Sequence, residues 1–427
     1  MTKAVAPQAH GPAGVGIHFN LTSLVVFSVS LILASGTLVF VATGVHKSNL
    51  ATILPTVSAK SDADANPAPA TSTPWGELIT SDVQLENPEE YLATDFDTNR
   101  PPTWHFADGS VDQVKAQLVA CGLSATQIAG VLAPGRVTAT LTNVALQPEQ
   151  NLVLSLSSEV RGKLYGLLAR NPANLYMRFP ACFAGDAFPS AMKDSGLAPE
   201  VIALIKPLLY QRGSAQYFSD YEIVMQRVPS AEQRLLLLKA LSRQPAVLAR
   251  VRVRPTTDVD KLLGYWTAVP GVRVKDLRPL LESLKRLPDG GSASLLYFLP
   301  PFARERLFTY PMPTKAGDPA MDCHWSSLNF FNEHPDDRLG NPGYAATILT
   351  QNYYPVQKPS VYGDVIVLVD EKNNGLHSAV YLADDLVFTK NGNNYQQPWL
   401  LMRLNFLIAR YTAEGNLRTL VYRQKHS

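Results

Sequence analysis

Hydrophobic and polar positions change rhythm three times along the 427-residue chain. From Leu21 to Val45 runs LTSLVVFSVSLILASGTLVFVATGV, a stretch without a charged residue. A bilayer core takes about 20 apolar residues in a helix, whereas the apolar part of a cleaved signal peptide is only about 7–15 residues. The pattern predicts an N-terminal tail over 1–20 and one transmembrane anchor over 21–45. Residues 46–75, containing NPAPATSTP among Ala, Ser, Thr and Asp, offer too little large apolar surface to fold and are expected to be a linker. Lys3 before the anchor and Lys47 and Lys60 after it leave the orientation undecided by charge. Anchor, tether and body in that order point to a single-pass inner-membrane protein whose globular part is periplasmic.

A helical period dominates next, and residues 76–300 are expected to form a mainly helical region. Ser110 can cap a helix carrying Val111, Val114, Leu118 and Val119 on one side, with Gly122 as its stop. Ser124 with Gln127, and Ser230 with Gln233, have capping-box spacing. AEQRLLLLKALSRQ and VKDLRPLLESLKRL read as two more helices, the second holding Pro279 in its first turns or as a kink. Two alternating stretches, Val137/Ala139/Leu141 and Val251/Val253, predict half-buried strands. The second is interleaved with Arg250, Arg252 and Arg254, read as a solvated face. After Asp289-Gly290-Gly291 the rhythm changes to period two. VYGDVIVLVD, HSAVYLAD and LVFTKNG predict an antiparallel hairpin and its continuation, within a separate domain over 301–427.

Composition narrows the function. Lys plus Arg number 38 against 36 Asp plus Glu, a net charge of +2. With no basic stripe, that balance excludes nucleic-acid binding by bulk charge. Three cysteines are too few for a disulfide scaffold, although Cys121 and Cys182 could pair and leave Cys323 free. His324 and His334 flank Cys323 without a second Cys/His pair, so no metal site is expected. The loops GNPGY (340–344) and DGGSAS (289–294) lack the pattern of a phosphate-binding loop.

One constellation carries chemistry. Cys323 stands in MDCHWSSLNFFNE, where Trp325, Leu328 and Phe331 recur at helical spacing from Asp322. A cysteine at a helix N-terminus faces backbone N–H groups and the positive dipole end, which favour the nucleophilic thiolate. His377 opens the strand after the turn 371–375 and is the candidate base. Asn391, with Thr389 close behind, is the candidate for the third group that orients the imidazole.

Asp322-Cys323, then Gly363-Asp364-Val365-Ile366-Val367, then His377-Ser378-Ala379-Val380-Tyr381 resemble, in order and spacing, the NlpC/P60 family of papain-like cysteine hydrolases. Its pattern is Asp-Cys-Ser-Gly, Gly-Asp-Leu-Val-Phe and His-Val-Gly-Ile-Tyr. The resemblance covers roughly residues 305–395. His324-Trp325 stands where the family has Ser-Gly, and the family's Trp-Gly-Gly after the tyrosine is absent. It implies an α+β papain-like domain with an antiparallel sheet, Cys323 as nucleophile, His377 as base and Tyr310 as a polar contact near the reacting carbonyl. It further implies amide bonds of peptidoglycan stem peptides as substrate and no cofactor. The expected protein is therefore a membrane-anchored envelope hydrolase, α+β in fold class. Two alternatives are a non-catalytic envelope scaffold with a degenerate papain-like domain, and a lipid- or acyl-transferring relative.

Overall fold

The computed structural model describes residues 18–19, 73–92, 99–107, 109–140, 143–185, 187–311, 321–411 and 417–425. The expected anchor 21–45, and almost all of the tail and linker, lie outside the described residues. The expected fold class needs correction. Among the described residues no helix is long and apolar enough to cross a membrane. The longest have 12 residues, against the about 20 a bilayer needs. The body is α+β with antiparallel sheets, and its middle region carries small sheets of its own beside its helices.

A two-residue strand, β1 (His18–Phe19), is followed by β2 (Glu77–Leu85). β3 (Trp104–Ala107), β4 (Val137–Ala139) and β5 (Asn143–Leu146) make one antiparallel sheet in the order β3-β5-β4. β6 (Ala181–Ala184), β7 (Tyr210–Arg212) and β8 (Ala215–Phe218) make a second, in the order β6-β8-β7. β9 (Gln244–Val253) pairs with β2 on one side and β10 (Gly291–Ser294) on the other. The large sheet follows, from β11 (Tyr353–Val356), β12 (Val365–Val369), β13 (Asn374–Ala383), β14 (Leu386–Lys390), β15 (Trp399–Arg403) and β16 (Arg418–Gln424). Its order is β11-β16-β12-β13-β14-β15, with β1 added in parallel at Asn374 and Gly375 of β13.

The β2–β9 ladder decides the architecture. It is antiparallel, from Glu77 opposite Arg252 to Leu85 opposite Gln244, so residues 86–243 form an insertion between two paired strands. That insertion has two cores of its own, one from Trp104 to Ile223 and one from Ala181 to Leu241. Helix α1 (Val111–Cys121) starts on Ser110 with a full capping box to Gln113 and ends at Gly122 in the left-handed region. Val114 and Leu118 are buried, whereas Val119, expected on the same side, faces solvent. Helix α2 (Ala125–Val131) repeats the box with Ser124 and Gln127. Helix α3 (Ser158–Leu168) brings Arg161 into the interior, where Asp220 takes hydrogen bonds from both the Arg161 guanidinium and the Tyr165 hydroxyl. Helix α4 (Ala231–Ser242) leads back to β9.

The rest of the chain folds around the large sheet. One core runs from Val247 to Tyr422 and takes in helix α5 (Val259–Trp266) and helix α6 (Val274–Lys285). The expected division at residue 300 passes through this core. Pro279 sits within α6, which continues past it. On the same sheet face lie helix α7 (Cys323–Leu328) and helix α8 (Pro342–Asn352). The opposite face holds a smaller core, from Ala246 to Val421, covered by helix α9 (Leu404–Tyr411) and by Val83 and Leu85 of β2.

The entry to β12 is built on Gly363 and Asp364. Gly363 has φ +97°, and a Cβ there would lie 2.4 Å from Phe331 Cζ, so glycine is required. The buried Asp364 carboxylate accepts from the backbone N–H groups of Ser360 and Val361 and pairs with Arg423.

Candidate active site

Strand alternation assigns the site residues to faces. Along β13, Val367 of β12 lies opposite Ser378 and Leu368 opposite His377. Val367 belongs to the larger core and Leu368 to the smaller. Ser378 therefore points to the α7 side and His377 to the α9 side. A register shift between Leu368 and Val369, which pairs with Gly375, leaves Leu376 bulged. Bulges re-aim side chains, and Leu376 joins the wall of the cavity described below.

On the α7 side, Asp322 caps the helix, its Oδ1 accepting from Trp325 N at 2.7 Å. The Ser378 hydroxyl donates to Cys323 O at 3.1 Å, and His324 Nδ1 lies 3.1 Å from the same hydroxyl. Trp399 Nε1 donates to Ser326 Oγ at 2.8 Å, locking the helix to β15. The Cys323 thiol is buried. Burial pushes it up strongly and the Asp322 charge adds to that; backbone hydrogen bonds with Ser378 and His324, and the Lys390 charge, act the other way. The lowered thiol expected at this helix start is thus overturned, because desolvation outweighs the N–H groups around it. Burial also holds the His324 imidazole below its usual range and raises the Asp322 carboxyl.

On the α9 side, His377 Nε2 hydrogen-bonds Thr389 Oγ1 at 2.8 Å. Its ring stacks on Tyr411 with centroids 4.5 Å apart. Nδ1 is buried without a partner. Burial first, then the His324 and Arg410 charges, push the imidazole well below its usual range. No hydrogen bond joins Cys323 to His377. The strand residue between them is Ser378, whose backbone meets the thiol.

Of the two candidates for the third group, Thr389 contacts the imidazole. Asn391 has left the β14 ladder, which ends at Lys390. It is 4% exposed, with Nδ2 and Oδ1 both unpartnered. Tyr310 lies elsewhere: its hydroxyl donates to Glu86 O at 2.8 Å and its ring meets Tyr91 edge to face. Cys121 and Cys182, which spacing allowed to pair, are both free thiols.

A cavity of about 310 Å³ opens where the insertion meets the large sheet. Cys323, His324 and Asn391 line it from one side; Arg178, Cys182 and Arg212 line it from the insertion. His377 and Tyr310 are not in its wall, whereas Tyr411, which covers the His377 ring, is.

Sequence reasoning missed Lys390. It is fully buried, donating from Nζ to Gly392 O at 2.7 Å and Asn394 O at 3.0 Å, above the Trp399 ring. Burial pushes its pKa down to about 7, against the opposing charges of Asp322 and Cys323. The signal was present: in LVFTK, alternation puts Lys390 on the face of Phe388, which is core. Among the described residues no group of three or more His, Cys, Asp or Glu could hold a metal ion. No protein-family profile, curated protein or solved structure matches the chain.

Proposed function

We propose that the chain is a cysteine enzyme of amide bonds, with Cys323 as nucleophile and His377 as base, acting on peptides such as peptidoglycan stems. The observation that carries this is the state of the His377 ring: one nitrogen is held by Thr389 and the other is buried and unbonded. An imidazole oriented through one nitrogen, with the second carrying no hydrogen bond, is one half of the pair that acyl transfer requires.

In the reaction the Cys323 proton passes to His377 Nδ1 as sulfur attacks the carbonyl. The imidazolium returns that proton to the leaving amine, and water then releases the acyl group from the thioester. Burial raises the thiol and lowers the imidazole, which favours the neutral form of each. Catalytic hydrogen bonds commonly tighten only when substrate is bound. Here the two groups approach β13 from opposite faces, so the step that joins the pair is a rearrangement at β13 when substrate binds.

The same burial favours a second reading, a binding protein whose thiol is an inert core residue. Incubating the full chain with a mixture of muropeptides, followed by mass spectrometry of products and of the Cys323 peptide, separates the two. Cleaved amides with an acyl adduct on Cys323, lost in Cys323→Ala and slowed about 10²-fold or more in His377→Ala, are expected. Neither cleavage nor adduct, or full activity in both variants, refutes the enzyme.

A further inference from the structure

The three arginines that alternate along β9 differ in what they hold. Arg254 is paired with Glu77, and Arg252 donates to Asp289 O. The exposed Arg250 guanidinium has no partner among the described residues. Beside it the sheet has a gap. β10 pairs only with residues 250–253 of β9 and then turns into a short 3-10 helix, Leu295–Phe298, whose Leu296 N–H donates to the Ser294 hydroxyl. β9 runs on to Gln244 with a strand partner on the β2 side alone.

The space left there is a groove of about 650 Å³, and its wall shares no residue with the cavity beside Cys323. That volume suits a small-molecule site, for which about 300–1,000 Å³ is usual. Leu248, Leu280, Leu296, Tyr297, Leu307 and Leu401 line it. Leu248 is 44% and Tyr297 52% exposed, and contiguous apolar surface of this kind marks a binding groove. Phe308, also in the wall, holds φ +62°, a strained conformation for a phenylalanine, and such strain gathers at ligand clamps. Among the described residues of this wall Arg250 alone is charged. Ser294 stands directly opposite Arg250 in the ladder, so their side chains share a face.

We propose that this groove binds a long-chain carboxylate, a free fatty acid, with its acyl chain along the leucines and its head group on Arg250 and Ser294. A guanidinium offers paired donors that match a carboxylate. The Ser294 hydroxyl, accepting from Leu296 N, keeps its own proton to donate. A neutral apolar ligand would leave the guanidinium unused, and a compact anion such as phosphate would leave the leucines bare. The inference does not depend on the amide-cleaving reading, because Cys323 takes no part in it.

The test labels the full chain with a decanoate carrying a photoreactive diazirine near the end of its chain, and maps the labelled peptides by mass spectrometry. Label is expected on residues 295–298 and 307–308. Unlabelled acids from octanoate to dodecanoate should suppress it, each added methylene lowering the half-suppressing concentration about fourfold. Decanol, of the same length without the charge, should compete about 10-fold or more weakly than decanoate. Arg250→Gln is expected to erase that difference, and Leu248→Asp to reduce labelling at both segments. Thermal unfolding of each variant checks that it is folded, and the comparison of acid with alcohol in the unaltered chain needs no variant at all. Label confined to other segments, acid and alcohol competing equally, or anionic phospholipid vesicles blocking as well as the free acid would each overturn the proposal.

Discussion

Lys390→Met reads out the electrostatics around the thiol. The ammonium is fully buried, and the Asp322 carboxyl and the Cys323 thiol are the acidic groups that face it. Burial takes it from 10.5 to about 7. Because the folded value lies below the unfolded one, the sign is fixed. Below about pH 7 both states hold the proton, and the native state bears the full cost of a desolvated charge. Between pH 7 and 10.5 the unfolded chain holds a proton that the native state has lost, so stability climbs by about 1.4 kcal/mol per pH unit. Over the window this amounts to about 5 kcal/mol, as an order of magnitude. Methionine fills similar space and does not titrate. Urea unfolding of both proteins from pH 6 to 10.5 gives a difference in which all common groups cancel. That difference should be flat to about pH 7 and then shift by several kcal/mol in favour of the wild type. Losing the bonds to Gly392 and Asn394 adds a constant offset, so the slope decides. Parallel curves across the range would refute the reasoning.

Two further outcomes are expected. Thr389→Val leaves the buried imidazole of His377 with no partner, costing about 1–3 kcal/mol in urea unfolding and slowing amide cleavage about 10-fold or more; an unchanged rate would remove Thr389 from the machinery. Asp364→Ala leaves two backbone N–H groups unpaired at the β12 entry and Arg423 without its carboxylate, holding only Ser360 Oγ. Because Arg423 is partly exposed, the loss should sit near the lower end of about 3–5 kcal/mol, and a change in unfolding free energy near zero would contradict it.

The hairpin of β12 and β13 was legible because its apolar runs and the Gly363-Asp364 entry are local signals. So were α1 and α2, whose capping boxes fix both starts. Parity was legible too: in HSAVYLA, His377 and Ser378 must face opposite ways. What the sequence does not carry is which face receives α7. That depends on the larger core closing over Val380 and Leu382, and on α9 covering the other side, a helix with no chemistry to mark it. The choice between Thr389 and Asn391 turned on where β14 ends. The pairing of Leu85 with Gln244 leaves no local trace, because partners so far apart are chosen by tertiary packing. The short strands β3 to β8, of three or four residues, are below the length at which period two stands out, which is why a mainly helical region was expected.

Leu85 and Gln244 stand one ladder step apart, so the chain leaves and re-enters the body at a single point. The loop closed there holds about 160 residues, a cost that grows only with the logarithm of length. Since 86–243 has cores of its own, it can fold first and bring β9 back to β2 as a preassembled bridge. The same geometry makes the segment a cassette. Replacing it would exchange one wall of the cavity while the sheet that carries His377 and Thr389, and the helix α7 that carries Cys323, kept their places, so a lineage could change that wall without rebuilding the sheet.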